Sequence, residues 1–170
     1  MAKILFLGID GVLNPTDNDY AMHMLWKIKK GRSRDEFGTL FDERCERWLK
    51  WIVLQTGCKI VISSTWRMSG LGVMQLMWKK RKLAGEVIDC TAFDVSEEII
   101  KKYAAKNNEA DRGYEIQEWI DVNKPYNYCI LDDQNDMLSH QNFVQTNPEF
   151  GLNRKTAMAV IAVLNSFIAP

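Results

Sequence analysis

Three short runs, residues 4–7, 59–62 and 128–131, are almost wholly apolar and contain no turn residue. Runs of that kind fit strands buried on both faces, as at the centre of a parallel sheet. A shorter strand is expected at 86–90, EVIDC. Between these runs the apolar spacing becomes helical. Cys45, Trp48, Leu49, Ile52 and Val53 define a helix over 41–56, with Asp42 as N-cap and Gly57 as its stop. Met74, Met77 and Trp78 give a second inward face over 70–82, and Ile116, Trp119 and Ile120 a third over 114–122, ended by Pro125. Met158, Ile161, Ala162 and Leu164 mark the packing face of a C-terminal helix over 154–168. Ser96 opens SEEIIKKYAAK, a helix or a cap insertion whose Glu97 and Glu98 suit a first turn. Strands alternating with helices predict a three-layer α/β/α, Rossmann-like fold with a mainly parallel sheet.

The remaining stretches are polar. Residues 17–40 are irregular apart from AMHMLWKIKKG, and a small cap or flap over 15–40 is expected, with a solvated loop at Arg32, Arg34, Asp35 and Glu36. Residues 107–111 read as a break, 135–141 as a loop and 145–153 as irregular. At 170 residues the prior is one domain over 1–170 with enough chain for a real core. Lys plus Arg and Asp plus Glu both number 22, so bulk charge gives no argument for nucleic acid. No apolar run approaches the roughly 20 residues of a membrane span, and the start MAKILFLGID does not read as a signal peptide. Cys45, Cys58, Cys90 and Cys129 form no CxxC pair and fit small buried hydrophobes in a reducing cytoplasm. Trp48 and Trp51 read as packing rather than a base-stacking platform. His23 and His140 are too few and too far apart to suggest a metal site.

Each central run ends in polar groups: Asp10 after the first, Ser63 and Ser64 after the second, Asp132 and Asp133 after the third. In a parallel sheet such ends share one edge, where open α/β sheets bind ligands. Alternatives stand beside each. Asp10-Gly11 could be a simple turn, Ser63 and Ser64 strand-end caps, and Asp132-Asp133 a solvated turn. Arg112 could form a surface ion pair with Glu115 or Glu118. Trp66 and Arg67 either shape the pocket or pack the start of the next helix.

Taken in order, these residues resemble the motif series of the haloacid dehalogenase (HAD) superfamily of phosphotransferases. KILFLGIDGVLN resembles its first motif, SSTWR the second, and Asp132-Asp133 the fourth, with Arg112 twenty residues upstream as the basic third. The resemblance implies a Mg²⁺-dependent phosphatase. Asp132 and Asp133 would serve the metal together with the backbone carbonyl of Asp10, whose side chain would be general acid and base. Ser63, or Ser64 in second place, would donate to the phosphoryl oxygens, and Arg112, or failing it Lys124, would neutralise them. Ser64, Arg67, Lys124 and the backbone of the Gly8–Val12 loop, Gly11 included, are the expected substrate contacts. The combination DGVLN, SSTWR and RGxEIxxW further resembles phosphatase domains of RNA-repair and phage contexts. It implies a phosphorylated small molecule, nucleotide or nucleic-acid 3′-phosphate end as partner.

One position departs from the resemblance. Gly8 stands where the family has its nucleophilic aspartate, and glycine can neither attack phosphorus nor ligate a metal. Three readings stay open: a nucleophile-less form of an active phosphatase, a natural pseudoenzyme that binds without hydrolysis, or a protein-interaction module on the same fold.

Overall fold

In the computed structural model, which describes residues 2–16, 33–103 and 111–166, the first apolar run is β1 (Lys3–Leu7). It is followed by β2 (Arg34–Asp35), β3 (Gly38–Thr39), α1 (Glu43–Thr56), β4 (Lys59–Ile62), a 3₁₀ turn over Thr65–Ser69, α2 (Leu71–Arg81) and β5 (Val87–Cys90). Then come α3 (Glu97–Tyr103), α4 (Asp111–Asn123), β6 (Asn127–Asp132), β7 (Phe143–Gln145) and α5 (Arg154–Asn165). β1 pairs in parallel with β4 on one side and β6 on the other, and the sheet order is β5-β4-β1-β6-β7, parallel throughout.

Alternation along the central strands sorts the helices into two layers. Leu5, Leu7, Ile60, Ile62, Cys129 and Leu131 face one way, into a core completed by Leu49 and Ile52 of α1, Met74, Met77 and Trp78 of α2, and Ala157, Val160 and Leu164 of α5. Ile4, Phe6, Val61 and Ile130 face the other way, onto Ile116, Trp119 and Ile120 of α4. Phe6 meets the Trp119 ring edge-on, with centroids 5.3 Å apart. The expected three-layer α/β arrangement is therefore present. The caps of α1 also hold: Asp42 accepts from the Arg44 amide at 2.7 Å, and Gly57 ends the helix in the left-handed region at φ 65°. The four cysteines are free, three of them buried.

Several boundaries differ from the expectation. β7 falls where no strand was expected, because its three residues are only partly covered and carry no apolar run. α4 starts at Asp111, so Arg112 and Gly113 lie in its first turn rather than before it. The buried side of α5 is Ala157, Val160 and Leu164, a stripe at i, i+3 and i+7 with Ile161 partly buried beside it, whereas Met158 is 51% exposed. The segment Glu97–Tyr103 is helical, and Ile99 packs against Tyr114 and Leu138. Residues 34–39 form a hairpin instead of a solvated loop. There Asp35 takes two hydrogen bonds, from Arg81 Nε at 2.9 Å and Nη2 at 2.7 Å, while Arg81 lies over the Phe41 ring. The expected flap over 15–40 falls largely on residues 17–32, which lie outside the described residues, as do 104–110 and 167–170.

Two stability outcomes follow from these contacts. A Cβ on Gly113 would sit 2.7 Å from the Leu138 amide nitrogen and 3.1 Å from the Asp136 carbonyl oxygen. Both are backbone atoms that cannot swing away. Gly113→Ala, which helix propensity alone would favour by about 1 kcal/mol, is expected to destabilise by about 1–3 kcal/mol, read as a lower denaturation midpoint in urea. Asp35→Ala leaves the Arg81 guanidinium buried without its carboxylate. The expected loss is about 2–3 kcal/mol, below that of a fully buried pair because Asp35 keeps some exposure. Burial opposes ionisation of Asp35, but the Arg81 and Phe37 hydrogen bonds outweigh it and hold its carboxyl below the usual range. That contribution is present above about pH 4 and is lost as pH falls through the lowered value, so the gap between Asp35→Ala and the parent chain closes in acid.

Candidate active site at the carboxyl edge of the sheet

The carboxyl ends of β1, β4, β5 and β6 lie on one edge, and the turn after β1 forms its floor. Ile9, Val12 and Leu13 are fully buried, and the Ile9 carbonyl accepts from the amides of Val12, Leu13 and Asn14, which fixes the turn. Gly11 adopts φ +69°, a conformation that glycine takes at little cost. Asp10 projects outward from this turn. Its Oδ1 accepts from Asn14 Nδ2 at 2.9 Å and its Oδ2 from Trp66 Nε1 at 3.0 Å.

The acids after β6 lie directly on this turn. A Cβ on Gly8 would sit 2.5 Å from Asp132 Oδ2, and one on Gly11 would sit 2.4 Å from Asp133 Cγ. Asp132 therefore fills the space that a side chain at position 8 would enter. Its carboxyl is 4% exposed, and burial pushes its pKa up to about 6; the Gln134 amide and Arg112 work against that rise and Asp133 adds to it.

Ser63 follows β4, its amide donating to the Leu7 carbonyl at 3.1 Å, and its buried hydroxyl has no hydrogen-bond partner. Ser64 caps the 3₁₀ turn, its hydroxyl accepting from the Trp66 amide at 3.4 Å. Thr91 follows β5 in the same way, bonded through its amide to the Ile62 carbonyl, and its buried hydroxyl is also unpartnered.

The first turn of α4 brings Arg112 to this edge. Arg112 Nη1 lies 3.6 Å from Glu115 Oε2, an ion-pair distance too long for a hydrogen bond. The same Oε2 accepts from Arg67 Nη2 at 2.7 Å. The Arg67 side chain is 1% exposed and its guanidinium lies 3.9 Å from the Phe93 ring centroid. Nε and Nη1 of both arginines are buried without hydrogen-bond partners. Burial raises the Glu115 pKa, with Arg67 and Arg112 partly offsetting it.

Of the residues singled out in the sequence, Gly8, Asp10, Gly11, Ser63, Ser64, Arg67, Arg112, Asp132 and Asp133 all meet at this edge. Lys124 does not. It is exposed beyond the end of α4 and before β6 begins, on the opposite edge from Asp132. The backbone donors of the Gly8–Val12 loop also differ from the expectation: the amides of Gly8, Gly11 and Val12 are spent on Leu131, Asn14 and Ile9 carbonyls. Arg112 does pair with Glu115, yet neither is a surface group, at 16% and 13% exposure. Thr91 was missed, although it stands after the EVIDC run as Ser63 stands after KIVI.

Among the described residues, no group of three or more histidine, cysteine or acidic side chains is placed to hold a metal ion. Asp132 and Asp133 offer two carboxylates against the turn after β1, and with the backbone carbonyl of Asp10 they are the groups that would hold the Mg²⁺ that the resemblance implies; glycine at position 8 adds no further carboxylate. Among the described residues no helix is long and apolar enough to cross a membrane.

No curated protein and no solved structure matches the chain significantly. A family profile described as the HAD domain in Swiss Army Knife RNA repair proteins matches residues 4–157, which span β1 through the first turn of α5 and every group at the carboxyl edge. With nearly the whole chain covered and the parallel α/β sheet in place, the protein belongs to that HAD family and is a phosphatase-like domain of the HAD type.

Proposed function

We propose that the carboxyl-edge pocket binds a phosphomonoester, with a nucleotide or a nucleic-acid 3′-phosphate end as the leading ligand, and that Gly8 leaves this chain poor at hydrolysing it. The observation that carries the reading is a set of buried, unpartnered donors: Ser63 Oγ, which follows β4 next to Gly8, and Nε and Nη1 of Arg112, whose charge acts on Asp132. A buried donor left unpaired costs about 1–3 kcal/mol, and an oxyanion would recover that loss. The family's association with RNA repair supports the choice of ligand. The free thiols fit a reducing, cytoplasmic setting.

In this reading Ser63 and Arg112 hold the phosphoryl oxygens. Asp10, oriented by Asn14 and Trp66, is the proton-handling group at the pocket mouth. The step that fails is nucleophilic attack, because position 8 has no side chain. A second reading, a natural pseudoenzyme, draws on the fit of Asp132 into the space beside Gly8. That fit suits a glycine kept for binding.

Gly8→Asp separates the two. It adds a third carboxylate where two now stand and makes Asp132 rotate away. For an enzyme missing only its nucleophile, the expected result is Mg²⁺-dependent hydrolysis of an aryl phosphate or nucleotide on the order of 10³-fold or more above the parent chain. No gain across a panel of phosphomonoesters favours the pseudoenzyme. Binding is tested by calorimetry with nucleoside monophosphates in the absence of Mg²⁺. Arg112→Ala is expected to weaken it by about 1–3 kcal/mol, the scale of a charge-assisted hydrogen bond. Equal binding by both forms removes Arg112 from the ligand.

A further inference from the structure

Two guanidinium groups and two hydroxyls with unpartnered polar atoms gather on the α4 side of the sheet. Ser63, Arg67 and Arg112 are already singled out by the motif series, and Thr91 is not. Strand alternation places Thr91 beside Ser63. Ile62 and Cys90 are register partners that face the α1, α2 and α5 layer. The residues that follow them turn to the opposite face, where Trp119 of α4 donates to Asp89 at 2.7 Å. That face holds Arg67, Arg112 and Glu115. Arg67 and Arg112 are joined through one oxygen, Glu115 Oε2, at 2.7 Å and 3.6 Å. Each keeps Nε and Nη1 unpartnered, and so do the Ser63 and Thr91 hydroxyls.

We infer that Thr91 completes the anion seat with Ser63, Arg67 and Arg112, and that the Glu115 carboxylate occupies this seat in the free protein as a stand-in for the ligand's phosphate. The inference rests on the phosphomonoester reading and adds to it a competing internal anion. A single carboxylate oxygen leaves four guanidinium nitrogens and two hydroxyls without a hydrogen bond. A tetrahedral phosphate, with three free oxygens and up to two charges, can accept from more of them at once. The unpartnered atoms are shielded from solvent, while Glu115 and Arg112 keep partial exposure, at 13% and 16%. A phosphate therefore reaches the seat by displacing Glu115 outward. Arg67 cannot leave with it, since its guanidinium lies against Phe93 and also donates to the Ala92 carbonyl at 3.4 Å.

The sign of one substitution distinguishes a stand-in from an ordinary structural ion pair. Glu115→Gln keeps the shape and removes the competing charge. Inorganic phosphate and adenosine 3′-monophosphate, titrated by calorimetry without divalent metal, are expected to bind about tenfold more tightly to Glu115→Gln than to the parent. Thr91→Val, of nearly equal volume, is expected to bind them roughly tenfold more weakly through loss of one hydrogen bond to a charged acceptor. Thermal melting of each form, with and without 20-fold excess of ligand over its dissociation constant, reports folding independently. Unchanged or weaker binding by Glu115→Gln, with Arg112→Ala still losing affinity, overturns the stand-in and leaves the phosphomonoester reading intact. Unchanged binding by folded Thr91→Val removes Thr91 from the seat. No phosphate binding by any form overturns both the reading and the inference.

Discussion

Parallel pairing of β1 with β4 and β6 is the constraint on which the rest depends. Each pairing is in regular register along the whole of β1, from Lys3 or Ile4 to Leu7. Consequently Gly8, Ser63 and Asp132 leave the sheet side by side although they are scattered over the chain. Antiparallel pairing with either neighbour would carry one of these groups to the far edge. The register is supported from both faces, by Leu5 and Leu7 on one side and Ile4 and Phe6 on the other, all buried to 2% exposure or less. Fully burying side chains of this size contributes about 1.5–3 kcal/mol each, and the four together outweigh any single polar contact at the edge. The core thus holds the polar groups in place, including those whose burial is unfavourable.

That burial is considerable. Arg67, Arg112, Glu115 and Asp132 are all partly or wholly withdrawn from water, and Glu115 and Asp132 are both raised in pKa chiefly by desolvation. Buried ion pairs are weak sources of stability, because desolvation offsets most of their attraction. Stability is therefore a poor account of why two arginines share one glutamate here while leaving four of their nitrogens unpaired. A role in receiving an anion gives those nitrogens a use, and it explains why they are collected where the sheet opens.

Close backbone approach is the second theme of this edge. Gly8 and Gly11 leave room for the carboxylates of Asp132 and Asp133, and Gly113 lets the first turn of α4 press on the backbone of 136–138. The Gly113 amide donates to the Asp136 carbonyl at 3.0 Å and the Arg112 amide to Asp136 Oδ2 at 3.4 Å, which ties the start of α4 to the loop after β6. Gly8 is thus the reason Asp132 can rest where it does.

The sequence by itself determined the layers. Continuous apolar runs such as ILFL and IVI can only be satisfied by burial on both faces, and helical spacing with Asp42 and Gly57 as caps is a local property of the chain. It also determined that Asp10, Ser63 and Asp132 would meet, because strand ends in a parallel sheet have nowhere else to go. Where the local signal was weak, the tertiary structure decided. β7 is a strand because β6 offers it an edge, not because Phe143–Gln145 has a pattern of its own. The buried side of α5 was set by which stripe of the helix meets the core, Ala157, Val160 and Leu164, and the larger Met158 stays exposed. Arg67 joined Arg112 through Glu115, and Thr91 fell in beside Ser63, only because β4, β5 and α4 pack together. Partnership between charged groups far apart in the chain carries no periodicity, so nothing in the sequence could announce it. Lys124, equal to Arg112 in charge and close to it in the chain, was excluded simply because a helix separates the two edges of a sheet.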